Sequence, residues 1–254
     1  MNNVENRFLV VLAIIGVALA GGAFALSWQP SNHFFDFSPS NDGYVAPKDI
    51  SSLIEDTQES TVVVLCDLPK DMQSVGTGWA IEKSLLKFDV KDTALITNFH
   101  VIKECVKTPE NLKVALPNEK LTVAKVVEFD SKKDIAVLET KLEVPPLQLA
   151  TYSPWPGYWT MALGSAAGYE GSVAIGNVLN TTEDDILITN NISEGNSGGA
   201  LVDNEGNVIG MVTWGMDFKS DQYNGARILD VFCAKIIKCS YELDGKKTWF
   251  EYAE

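Results

Sequence analysis

Hydrophobic positions follow three regimes along the chain. Residues 8–26, FLVVLAIIGVALAGGAFAL, form a run of 19 without a charge or a strongly polar side chain. At ~1.5 Å per residue a helix of that length is roughly 28 Å long, against a bilayer core of about 30 Å. The run predicts a transmembrane helix within residues 1–28. Ala18-Leu19-Ala20 and Ala23-Phe24-Ala25 also match the A-x-A cleavage pattern, so a cleaved signal segment stays open as the alternative. Residues 29–46, QPSNHFFDFSPSNDGYVA, show no sustained period and mix Pro, Ser, Asn and Gly with aromatics, which predicts a tether.

From residue 47 a folded body follows. In PKDISSLIEDTQES, Ile50, Leu53, Ile54 and Thr57 share one stripe behind Pro47, which predicts a short amphipathic helix. The pattern then changes to short β-branched runs between turn signals: 61–66, 76–82, 93–97, 112–116, 121–129, 134–140, 158–164, 172–180, 184–191, 199–203 and 207–214. Eleven such strands predict an all-β sandwich or barrel fold. Asn204-Glu205-Gly206 fits a three-residue hairpin with Gly in the left-handed position. Residues 228–237, ILDVFCAKII, space Ile228, Val231, Phe232, Cys233 and Ile236 for one buried face and predict a late helix.

The composition, 46% hydrophobic and 21% charged, excludes disordered and collagen-like chains. A formal charge of −14 repels a polyphosphate backbone, so no nucleic-acid partner is expected. Arg7 is the only basic residue before the apolar run, which places the N-terminus inside and the body outside the membrane. Either fate of that run exports the body. Four cysteines in an exported chain without a C-x-x-C favour disulfides over metal ligation, and no metal or cofactor is expected. Three pairings are open; Cys66 with Cys105 and Cys233 with Cys239 is the favoured one. The second pair carries a condition, because six residues of continuous helix separate Cα atoms by about 9 Å, beyond the roughly 7 Å that a disulfide bridges.

Gly195-Asn196-Ser197-Gly198-Gly199 puts a serine in a glycine-rich turn whose N–H groups can converge on a developing oxyanion. Taken alone, the pentapeptide also fits the nucleophile elbow of α/β-hydrolases or an inert hairpin. An α/β-hydrolase needs a histidine after the serine, and none follows Ser197. His100, just after the strand at 93–97, is the sole histidine of the body, and the order His then Ser suits a chymotrypsin-like arrangement. Asp134, at the start of DIAVLE, is the candidate acid between them. Asp130, on the Ser-Lys-Lys turn, is its competitor and is expected to be solvated.

The segments GTGWAI, TNFHVI, DIAVL, ALGSAAGYEGSVAIGNV and GNSGGALVDNEGNVIGMV resemble, in order, the trypsin-like serine proteases of the HtrA (Deg) type. The resemblance implies two six-stranded β-barrels with the triad in the cleft between them, so that residues 47–254 are expected to form this double barrel with the late helix at its C-terminal end, preceded by the transmembrane helix that the hydrophobic run predicts. It implies Ser197 as nucleophile, His100 as general base and then acid, Asp134 as its orienting carboxylate, and the N–H groups of Gly195 and Ser197 as oxyanion hole. Asn191 would lie at the floor of the primary specificity pocket, with Thr213, Trp214 and Gly215 on its wall. No carboxylate is evident at that floor, so uncharged, modest-sized side chains are the expected preference. Three departures stand out. Asn196 replaces the aspartate that captures a new N-terminus in digestive trypsins, so activation by such a cut is not expected. Asn190 and Asn191 stand where HtrA-type enzymes have small residues. The 16 residues after the late helix are too few for a PDZ domain, and their aromatics are expected to pack on the barrel surface. The expectation is a serine endopeptidase acting on exported polypeptides, anchored by its N-terminal helix or secreted after cleavage. A catalytically latent binding or scaffold protein of the same fold is the rival.

Overall fold

The computed structural model describes residues 43–215 and 224–252. The expected transmembrane helix and most of the tether lie outside these residues. Among the described residues no helix is long and apolar enough to cross a membrane. Residues 43–46, assigned above to the tether, already bond to the body: Trp159 N–H donates to Gly43 C=O at 2.6 Å, and the Tyr44 ring packs edge-on against Tyr158.

Helix α1 (Ile50–Gln58) starts at Asp49, whose carboxylate accepts from Ser52 N–H at 3.0 Å, so Pro47 precedes the cap instead of opening the helix. Six strands follow: β1 (Thr61–Leu68), β2 (Met72–Ala80), β3 (Thr93–Thr97), β4 (Leu112–Ala115), β5 (Thr122–Asp130) and β6 (Ile135–Thr140). They close a barrel in the order β1-β2-β3-β6-β5-β4. The second set is β7 (Trp159–Gly164), β8 (Ser172–Thr181), β9 (Asp185–Ile188), β10 (Ala200–Val202), β11 (Val208–Gly215) and β12 (Asn224–Ile228), closed in the order β10-β11-β12-β9-β8-β7. The expected all-β fold of two six-stranded barrels is therefore the observed one.

The strands facing the neighbouring barrel bury both faces. On β3, Leu95 fills the first barrel while Ala94 and Ile96 join the core shared with the second; on β6, Ala136 and Leu138 point inward and Ile135 and Val137 outward. A strand buried on both sides reads as an unbroken apolar run, which is why TALIT and IAVLET lack alternation.

The C-terminal part differs most from the sequence expectation. NGARI forms β12, and the late helix reduces to a 3-10 segment, Leu229–Ala234. The helical reading fails because the chain turns extended at once: Ile237 bridges Leu86, and Cys239 returns to Cys233. The tail adds a hairpin, β13 (Tyr241–Leu243) and β14 (Lys246–Thr248), turned by Asp244 and Gly245, both with positive φ. Beyond it Phe250 is fully buried, and Trp249 Nε1 donates to Ala150 C=O at 2.7 Å.

The cysteines join as Cys66–Cys105 and Cys233–Cys239, with Cα atoms 5.9 and 5.5 Å apart, and no described cysteine is free. Loop lengths set by separations of 39 and 6 residues correspond to about 4 and 2 kcal/mol in the chain-entropy model. Replacing Cys66 and Cys105 by alanine should therefore lower the urea unfolding free energy about twice as much as replacing Cys233 and Cys239.

Glu139 on β6 is a buried carboxylate. It meets Lys125 Nζ at 2.7 Å across the strand pair and accepts N–H bonds from Lys91 and Asp92 at 3.0 and 2.9 Å. Lys125 first, then the Asp92 N–H, holds its carboxyl below the ordinary value. A depressed folded-state pKa contributes stability above the unfolded value, and that stability is lost as pH falls. The melting-temperature gap between wild type and Glu139→Gln should be widest at neutral pH and close as pH drops through and below about 4.3.

Candidate active site

His100 lies in a one-turn helix, α2 (Phe99–Ile102), immediately after β3. Its Nδ1 is 2.7 Å from Asp134 Oδ2, and its backbone N–H donates to Asp134 Oδ1 at 2.8 Å. Asp134 adopts φ +58°, a left-handed conformation that aspartate tolerates better than most residues, one position before β6. Both carboxylate oxygens are thus directed at His100, and the Asp134 C=O accepts from Asn98 Nδ2 at 2.8 Å. The same Nδ2 reaches Thr213 Oγ1 on β11 at 3.3 Å, so Asn98 bridges the barrels behind the pair. Asp130 is buried, not solvated: its Oδ1 accepts from Lys132 and Lys133 N–H at 3.0 and 3.2 Å and closes the turn that delivers Asp134.

Ser197 lies in the loop between β9 and β10, where the carbonyls of residues 194–197 are each held. Glu194 C=O accepts from Ala167 N–H at 2.7 Å, Gly195 C=O from Thr77 Oγ1 at 2.6 Å, Asn196 C=O from Gly199 N–H at 3.0 Å, and Ser197 C=O from Thr77 N–H at 2.8 Å. A trans peptide points its N–H opposite its C=O, so the Glu194 anchor turns the Gly195 N–H away from the Ala167 loop. The N–H groups of Gly195 and Ser197 donate to no acceptor among the described residues, whereas those of Asn196 and Gly198 donate to Ser193 and Val212 C=O. Two such donors two residues apart can together receive an anionic oxygen.

Gly195 has φ +93°, and a Cβ there would collide with Ser165 C=O. Gly198, at φ +88°, faces Thr77 C=O and the Thr97 hydroxyl in the same way. Asn196 is buried, with Oδ1 unpartnered among the described residues, and packs against Gly164. A neutral amide there avoids the counter-ion that a buried carboxylate would need.

Of the residues assigned to the specificity pocket, Asn191 is exposed after β9, and Thr213 is buried with Oγ1 donating to Met211 C=O at 3.0 Å. Trp214 and Gly215 pair along the backbone with Gly225 and Asn224 of β12. The neighbouring Asn190 is fully buried, its side chain tied to Thr160 and to Ala174 C=O. Thr77, Asn98 and Ala167 escaped the sequence reading, because a lone polar residue in GTGW or TNFH carries no spacing signal and Ala167 acts through its backbone N–H. Among the described residues no cluster of His, Cys, Asp and Glu could hold a metal.

Backbone strain and collision can be separated by two glycines. Gly245 also has positive φ but open space around it, so Gly245→Ala should cost about 1 kcal/mol, while Gly195→Ala adds a backbone collision and should cost distinctly more. Urea unfolding of the two variants checks the order.

A family model, the trypsin-like peptidase domain, matches residues 76–211. The anti-sigma-I factor RsgI9 of Acetivibrio thermocellus is 31% identical over 172 residues, covering 64% of this chain and 22% of the relative. A probable periplasmic DegP-like serine endoprotease of Hahella chejuensis is 30% identical over 157 residues, covering 56% and 30%. The chain thus spans under a third of the length of these two curated relatives. The crystal structure of a serine endoprotease from Yersinia pestis superposes with a TM-score of 0.62 at 21% identity, covering 75% of this chain and 66% of that one, a likeness of fold. With more than half of its length matched by the family model, the chain belongs to the trypsin-like peptidase domain family.

Proposed function

We propose that this protein is a serine endopeptidase acting on polypeptides. The observation that carries the reading is the His100–Asp134 pair at 2.7 Å together with the two N–H groups of the Ser197 loop that have no acceptor among the described residues. In this reading His100 takes the hydroxyl proton as Ser197 Oγ bonds to the substrate carbonyl carbon. The carbonyl oxygen becomes an oxyanion held by Gly195 and Ser197 N–H. The C–N bond then breaks, His100 returns the proton to the leaving amine, and water repeats the sequence on the acyl-enzyme. Asp134 keeps the imidazole oriented and supports its positive form. Asn191, Thr213, Trp214 and Gly215 would border the bound side chain and backbone. The chemistry calls for no metal or organic cofactor.

The compartment belongs to the same proposal. Two disulfides suit an oxidising environment, and residues 8–26 supply either a membrane anchor or an export signal. The Hahella relative carries a periplasmic description, which accords with substrates outside the cytoplasm. Nothing observed favours the latent-scaffold reading.

The test is labelling of the full chain with a fluorophosphonate reporter. The Ser197 oxygen displaces fluoride from phosphorus and its proton passes to His100. Wild type should label, while Ser197→Ala should not label and His100→Ala should label at least about a thousandfold more slowly. A folded wild type that stays unlabelled would remove the endopeptidase reading.

A further inference from the structure

We propose that Thr77 is a positioning residue for the oxyanion hole, its hydroxyl holding the Gly195 carbonyl so that the amides flanking Asn196 keep facing the substrate. The inference rests on the serine-peptidase reading and adds to it a control outside the triad.

The need for such a residue follows from Gly195 itself. Only glycine fits beside Ser165 C=O, and glycine leaves its own φ and ψ nearly unrestrained, with positive and negative φ about equally accessible. A loop that must present two N–H groups in one direction is thus built on its least constrained residue. Restraint has to come from outside, and it comes on both sides: Ala167 N–H holds the carbonyl before Gly195, and Thr77 Oγ1 holds the carbonyl of Gly195. Rotation of the Gly195–Asn196 peptide would break the Thr77 bond and leave that buried donor unsatisfied, a cost greater than the bond's net worth.

Thr77 is suited to the task. It is fully buried on β2, so no water competes for its hydroxyl. Its N–H holds Ser197 C=O at 2.8 Å, and its own C=O accepts from Thr97 Oγ1 at 2.6 Å, three residues before His100. One residue of the first barrel therefore fixes both hole-forming residues of the second.

The experiment compares second-order fluorophosphonate labelling rates of the folded full chain for wild type, Thr77→Val, Thr77→Ser and Thr97→Val, each with urea stability. Thr77→Val should slow labelling about ten- to hundredfold, less than the roughly 10²–10³ lost on deleting an oxyanion donor outright. Thr77→Ser should stay within about threefold of wild type, since the donor remains. Thr97→Val removes a buried bond of similar length without touching Gly195, and should lose stability while labelling much nearer the wild-type rate. Thr77→Cys, a weaker donor of similar volume, replaces valine if that variant does not fold, and should label at an intermediate rate. Equal rates for the folded Thr77 variants and wild type would overturn the inference, as would a serine variant as slow as valine. An unlabelled wild type would instead overturn the peptidase reading beneath it, so the two failures are distinct.

Discussion

The register between the two barrels is the constraint on which the rest depends. His100 and Asp134 belong to the first barrel, at the end of β3 and the start of β6, while Ser197 precedes β10 of the second. Among the described residues no strand of one barrel pairs with a strand of the other. Most of what joins them is apolar packing: Ile96, Ile135 and Val137 share one core with Met161, Leu163 and Leu201. Such packing is strong but non-directional, and by itself tolerates sliding. Direction comes from a few buried hydrogen bonds, Thr77 to Gly195 and Ser197, and Asn98 to Thr213. They are modest in net energy, yet each leaves a desolvated group unpaired if the register shifts, which makes the wrong registers costly.

The positive-φ residues serve the same end. Asp134 turns the chain left-handed so that its side chain reaches back to His100 while β6 departs in the other direction. The strain is offset by bonds to its carbonyl and both carboxylate oxygens. Gly195 and Gly198 bring the serine loop against Ser165 and Thr77 more closely than any side chain permits.

What the sequence revealed and what it hid divide along physical lines. TALIT could be bounded at 93–97 because a strand buried on both faces has no polar position to blur its ends. His100 was legible because the body holds no other histidine. NGARI was missed because its glycine and arginine look like a turn, whereas Arg227 is paired to Asp185 at 2.6 Å and to Lys133 C=O at 3.0 Å. The late helix was misread because apolar residues three and four apart fit a 3-10 turn as well as an α-helix, and only the return of Cys239 to Cys233 distinguishes them. Asp134 was preferred to Asp130 for its place at the start of a strand, but the burial of Asp130 was not foreseen; a left-handed backbone at Asp134 sends its side chain to the histidine, while Asp130 closes the preceding turn. Thr77 stayed hidden because its partners lie 118 and 120 positions away.

The disulfide of the first barrel bears on the site more directly than its loop-closure term suggests. The turn bearing His100 continues into the 3-10 segment Lys103–Cys105, and Cys105 is bonded to Cys66 on β1. Cys66 and Cys105 are both buried in the first-barrel core beside Val101 and Ile102, the residues directly following the histidine. The histidine turn is thus held in front by Asn98 and Asp134 and behind by a covalent bond to the opposite strand. A one-turn helix cannot hold its own shape, since too few internal bonds offset its nucleation cost. Its geometry is therefore set by those two anchors, and one of them exists only where thiols are oxidised. An oxidising environment and the imidazole's position are in this way parts of one structural requirement.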